Sequence, residues 1–253
     1  MSAMMAAAIA AVACGATKAP VDARTSARAI IEDALAAKGG KAKLASLKAI
    51  RLTAAGTTSI GAQHLPVEVV RVLVFPDKLR IDATVTPPSA PRVVVSAAIS
   101  GETGWQRSPD PKTHEGVSVD VTGSNLQTLK FERWREPEQI LLKASDPAAI
   151  LALAPDETIA GQACSVVKLQ SPFGKVDVSL YIDKSTKLIR RMSYSDGIHT
   201  DNDDFADYRV VDGVRFAYRR TTHGGGRSTV FEVKTLEVDP EIDLTIFDKP
   251  AAN

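Results

Sequence analysis

The sequence predicts a mainly β chain, an antiparallel sheet curved into an unclosed half-barrel, with helices covering its concave side. Three observations carry this. Strand-like runs, alternating or rich in valine, recur at short spacing between residues 49 and 238, separated by Gly, Asp and Pro turns. Helical segments are grouped, one block near the start and one in the middle, where a doubly wound fold would alternate them with strands. And 253 residues with 44% apolar side chains suffice for one sizeable core, so a single domain is expected over residues 23–250.

The chain opens MSAMMAAAIAAVACGATKAP. Met4 to Ala13 is a short apolar run ending in the small residues Ala11-Val12-Ala13, so residues 1–13 read as an export leader. Cys14-Gly15 follows, where a bacterial lipoprotein takes a diacylglycerol on its cysteine thiol. No Lys or Arg precedes the run, and Ala11 stands where lipoprotein signals usually carry leucine. Ordinary cleavage after Ala13 and a start further upstream therefore stay open beside acylation of Cys14. The run falls short of the ~20 apolar residues that span a bilayer. Residues 14–22 form an expected tether.

Thr25-Ser26 precedes a helix over Ala27–Lys38, with Ile30, Ile31, Ala34 and Leu35 at helical spacing, stopped by Gly39-Gly40. A short turn over Lys41–Leu47 places Leu44 and Leu47 on one side. Strands are then expected over Ala49–Ile60, Leu65–Phe75, Lys78–Val85 and Arg92–Ile99, with a short fifth after the Gly101–Arg107 turn. The middle block reads as a helix over Ser124–Lys143, broken at Pro137, then a second over Pro147–Leu153 capped by Asp146. These helices are expected to lie over one opening of the sheet. Strands resume with Cys164–Leu169, Lys175–Ile182 and Lys187–Tyr194. Ala206–Val211 and Val214–Thr221 meet across the Asp212-Gly213 hairpin turn, and Ser228–Val238 closes the series.

With 31 basic and 30 acidic residues, the chain lacks the concentrated positive face of a nucleic-acid binder, and 5% aromatics make a poor stacking platform. His64, His114, His199 and His223 are scattered and form no metal-binding pair. No nucleophile elbow is present, and Gly224–Gly226 joins two strands where a phosphate loop would join a strand to a helix. Asp201-Asn202-Asp203-Asp204 could offer oxygen ligands to calcium. It lacks the spacing of a calcium loop and reads better as an acidic solvated turn. Cys164, in a valine-bearing strand, reads as a buried structural thiol. No catalytic set, cofactor or metal is expected.

Four landmarks resemble a known family: ALAAKGGKAKLASLKAIRLTAAGT running from the first helix into the first strand, the Asp183-Lys184-Ser185-Thr186 hairpin leading to Ile189, DYRVVDGVRFAYRRT, and the terminal LTIFDKP. Together, over residues 25 to 250, they are similar to the LolA/LolB-like superfamily of bacterial outer-membrane lipoprotein carriers. The resemblance implies an unclosed half-barrel whose concavity holds acyl chains, in a monomer that is periplasmic or anchored to the outer membrane through Cys14. A half-barrel cannot fill its own hollow, so some apolar strand positions become candidate ligand contacts: Leu52, Val70, Val72, Val74 and Val94, with Trp105, Phe131 and Trp134 near the helices. The expected function is the carriage or acceptance of lipid or lipoprotein acyl chains. The alternative is an envelope lipoprotein whose filled half-barrel serves as a structural or protein-interaction module.

Overall fold

The computed structural model describes residues 23–251, apart from 89, 111, 114, 174–175 and 196–198. The expected leader, Cys14, the tether and His114 lie outside the described residues.

Helix α1 (Ala23–Lys38) buries Ala27, Ile31, Ala34 and Leu35. It stops at Gly39, whose φ of 144° is open to glycine; a Cβ there would stand 2.7 Å from the Gly213 carbonyl oxygen. The short α2 (Lys41–Ser46) buries Leu44, and Leu47 follows it inward.

Six strands come next: β1 (Ala49–Ile60), β2 (Gln63–Val74), β3 (Lys78–Val85), β4 (Val93–Ser100), β5 (Thr103–Pro109) and β6 (Gly116–Asp120). Helices α3 (Gly123–Trp134) and α4 (Ile140–Ala144) interrupt them on either side of Pro137. Seven more strands follow: β7 (Leu151–Ile159), β8 (Gln162–Gln170), β9 (Asp177–Asp183), β10 (Ile189–Ser195), β11 (Thr200–Val211), β12 (Val214–Gly224) and β13 (Arg227–Val238). All thirteen lie in one antiparallel sheet ordered β6-β5-β4-β3-β2-β1-β13-β12-β11-β10-β9-β8-β7. The sheet is unclosed, with β6 and β7 as its edges.

The concave face is covered unevenly, and this positions the site. Over β7 to β12, α1 and α4 pack into a continuous core with Val167, Leu169, Leu180, Ile182, Met192 and Phe216. On the other flank, α3 lies against β4 and β5 through Leu126 and Leu129. Between these plugs, the middle strands β1, β2 and β13 add a smaller apolar cluster of Leu52, Ala54, Val69 and Val233, beside Ile50 and Leu73 of the main core. The convex face carries its own cover. Ile242, Ile246 and Phe247 strap across Val72, Val74, Ala98 and Trp105; the Trp105 Nε1–H donates to the Phe247 carbonyl at 2.8 Å.

Two expected elements differ. Pro147–Leu153 is not helical. The Asp146 side chain instead accepts from the Ala148 N–H at 2.7 Å to make a tight turn, and Leu151 opens β7, paired with Leu169 of β8. Strand pairing at the sheet edge overrides the helix preference of an Ala/Leu run. Asp201 to Asp204 is not a solvated turn either. It forms the start of β11, where Asp203 accepts from Thr222 of β12 and Asp204 pairs with Arg191 of β10.

The seam between the first and last strands is tight at Gly56, where a Cβ would fall 1.7 Å from the Val230 carbonyl oxygen. Gly56→Val is expected to part β1 from β13 and to cost roughly 2 kcal/mol or more. Urea unfolding measures this, and an unchanged midpoint would contradict the seam.

Candidate functional site

The uncovered middle of the concave face forms an open hollow. Its floor is apolar: Leu52 and Ala54 from β1, Val69 from β2, Phe231 from β13, with Phe205 and Met192 at the far side. Register explains the grouping. Leu52 stands opposite Arg71 on β2, and Ala54 opposite Val69 and Val233, so these side chains share the inward face. An adjoining depression bounded by Thr128, Phe131, Tyr194 and Asp201 shares Glu132, Arg135 and Thr222 with the hollow.

The roof is charged. It is the chain from Glu132 to Pro137, where α3 ends and turns toward α4. Both terminal nitrogens of Arg71 donate to Glu132 Oε1 at 3.2 Å, and one also reaches Glu136 Oε1. Arg135 bridges Glu132 Oε2 to Asp203 on β11. Asp203 also accepts from the Thr222 hydroxyl at 2.8 Å. Arg220 on β12 donates to Glu138 at 3.0 Å. The Arg135 guanidinium lies 4.4 Å from the Tyr194 ring centroid, a cation–π contact that holds it flat against the wall. Ion pairs thus tie the roof to β2, β11 and β12.

Burial works to raise the Glu132 carboxyl, but Arg135 and Arg71 outweigh it and hold the group at about 2, below its ordinary 4.5. Glu136 goes the other way. Burial, with Glu138 and Glu132 beside it, outweighs Arg71 and Arg220 and pushes its carboxyl up. Four buried polar atoms of this network have no hydrogen-bond partner in the protein: Nε of Arg71 and of Arg135, and Oε2 of Glu136 and of Glu138.

Of the candidate contacts named from sequence, Leu52 lies in the floor. Val70 and Val94 face outward and are 37% and 50% exposed. Val72, Val74 and Trp105 also face outward, beneath the C-terminal strap, so their burial is structural and lies on the convex side. Phe131 and Trp134 stack on each other with centroids 6.1 Å apart and anchor α3 to the core; Phe131 also borders the adjoining depression. Sequence reading missed Arg71, Arg135, Arg220 and the three glutamates, and weighed Asp203 only as a calcium ligand or a solvated acid. One available signal was Arg71 itself, a charge on the same strand face as Val69 and Leu73.

Glu132 gives a pH signature. It takes its proton near 4.5 when unfolded and near 2 when folded, so its stabilising effect is present above the first value and is lost as pH falls through the window between them. Glu132→Gln is expected to lower stability at neutral pH and to flatten the loss between pH 4.5 and 2. Urea midpoints measured across pH check this; an acid limb as steep as wild type would count against it.

No protein-family model matches the chain, and no curated protein matches it by sequence. Solved structures do. A DUF1329 family protein from Desulfovibrio piger superposes with a TM-score of 0.58 at 15% identity, covering 90% of this chain and 98% of that one. A domain assigned to outer-membrane lipoprotein sorting from Vibrio parahaemolyticus gives 0.55 at 13% identity, covering 89% and 97%. A LolA superfamily protein from Nitrosomonas europaea gives 0.53 at 13% identity, covering 88% and 97%. Identities this low speak to architecture alone, and that architecture, an unclosed antiparallel half-barrel with helices in its concavity, is the LolA-like fold.

Proposed function

We propose that this chain is an exported, non-enzymatic binding protein that holds the apolar chain of a lipid or an acylated protein in the hollow beneath the α3–α4 connection. The observation that carries the reading is the floor. Leu52, Ala54, Val69 and Phe231 line an opening that the protein's own helices leave unfilled. Each methylene of a guest chain buried there contributes ~0.8 kcal/mol. Ten would give ~8 kcal/mol, the equivalent of a micromolar Kd, from which the cost of association and ordering is subtracted. The LolA-like fold supports the reading, since one neighbour of that fold is assigned to lipoprotein sorting. Hollow carboxylates Glu132, Glu136 and Asp203 are each engaged by an arginine, which favours a fixed wall over acid–base chemistry.

The location follows from the leader. Cys14 is the proposed acylation point, the protein residing in the periplasm or anchored to the outer membrane as a monomer. Among the described residues no helix is long and apolar enough to cross a membrane. A second reading, a structural module with a filled half-barrel, draws on α1 and α4, which pack one flank of the concavity completely.

Two experiments separate these. The protein lacking residues 1–14 is purified, its lipid extract analysed by mass spectrometry, and cis-parinaric acid titrated into it. Co-purified lipid and saturable micromolar binding are expected, and Val69→Phe, which narrows the hollow, is expected to weaken binding at least tenfold. A folded protein that is empty and indifferent to the probe would leave only the structural module. In cells, labelling with a palmitate analogue is expected for the native chain and lost in Cys14→Ser; equal label in both would remove the anchor.

A further inference from the structure

Resting on that reading and deepening it, we propose that the hollow selects amphiphiles with an anionic oxygen head, carboxylate or phosphate, and seats the head inward against Arg71 and Arg135 with the chain along the apolar floor. A hollow meant for hydrocarbon alone would be apolar throughout. This one is apolar on one side and carries three guanidinium groups on the other, from Arg71, Arg135 and Arg220. A chain without a polar head would shut water away from them and give nothing in return, a cost of the kind that buried polar groups avoid.

The sign of the head follows from which bonding positions are free. Glu132 has a donor on each oxygen, Arg71 on Oε1 and Arg135 on Oε2. Asp203 likewise has Thr222 on Oδ1 and Arg135 on Oδ2. The buried side-chain atoms of the lining that have no partner are Nε–H of Arg71, Nε–H of Arg135 and Oε2 of Glu136. The first two are donors. The third, on a side chain 3% exposed, is one acceptor position against those two donors. The unfilled positions therefore ask for an acceptor. Guanidinium groups match carboxylate and phosphate alike through paired N–H donors, and Val69 beside Arg71 on the same face gives the first carbons of the chain their contact.

The test holds the chain constant and varies the head. Dodecanoate, dodecyl phosphate, dodecanol and dodecyltrimethylammonium, each below its micelle concentration, are titrated against the protein lacking residues 1–14, reading displacement of the neutral dye N-phenylnaphthylamine. At least one anion is expected to bind tenfold or more tightly than dodecanol, and the cation more weakly than dodecanol. Preference for dodecanoate alone or for dodecyl phosphate alone supports the proposal and names the source of the head. Arg135→Gln is expected to weaken the anions at least tenfold more than it weakens dodecanol, so that the preference disappears. Should that variant fail to fold, the wild-type series decides. Dodecanol equal to or tighter than both anions, or a preferred cation, overturns the inference while leaving the binding function standing. Failure of all four probes together with the dye overturns the binding function itself.

Discussion

Pairing of β1 with β13 is the constraint on which the rest of the molecule depends. The first strand of the domain lies beside the last, so the six strands before α3 and the seven after α4 become one sheet instead of two. Its free edges, β6 and β7, then lie at opposite ends of the strand order. Strands twist relative to their neighbours, so a sheet this wide curls. A curled sheet that does not close has a concave face broader than a few short helices can cover. The hollow is therefore a product of topology; the residues in it decide its character.

Its character is set by an opposition. The floor prefers to be dry, and the roof carries buried charge. Ion pairs in such a place return little net stability, because stripping water from both partners costs about as much as their attraction gives. Their value here is geometric. Arg71 and Arg135 are held by carboxylates on α3 and β11, and a guanidinium pressed onto Leu52 and Ala54 would lose those partners. The network therefore works as a spacer, holding roof and floor apart. Lys38, clamped between the Tyr208 and Phe216 rings and donating to the Arg215 carbonyl at 3.1 Å, extends this charged layer toward α1.

Much of the fold was legible because the turns were. Gly39-Gly40, Pro76-Asp77, Asp183–Thr186 and Asp212-Gly213 fall where the chain reverses or a helix ends, and β1 and β3 run over the residues expected of them. The site was less legible because valine does not declare a face. In β2, Val67 and Val69 point inward while Val72 and Val74 point outward; both sets are apolar because both faces are covered. The outer cover consists of Ile242, Ile246 and Phe247, far along the chain, and nothing near β2 announces it. The acids of β11 misled for the same reason. Asp203 and Asp204 read as solvated because Arg135 and Arg191, which neutralise them, come from other elements.

The C-terminal strap has a consequence for how the chain is made. The convex patch of Val72, Ala98 and Trp105 stays bare until residues 242–247 arrive, and β1 stays unpaired on one side until β13 does. Native contacts of such long sequence separation form slowly. Most of the chain must therefore leave the ribosome before its first strand can finish docking. During that interval it is a loose, sticky polypeptide, threadable through a narrow channel and at risk of clumping with its neighbours.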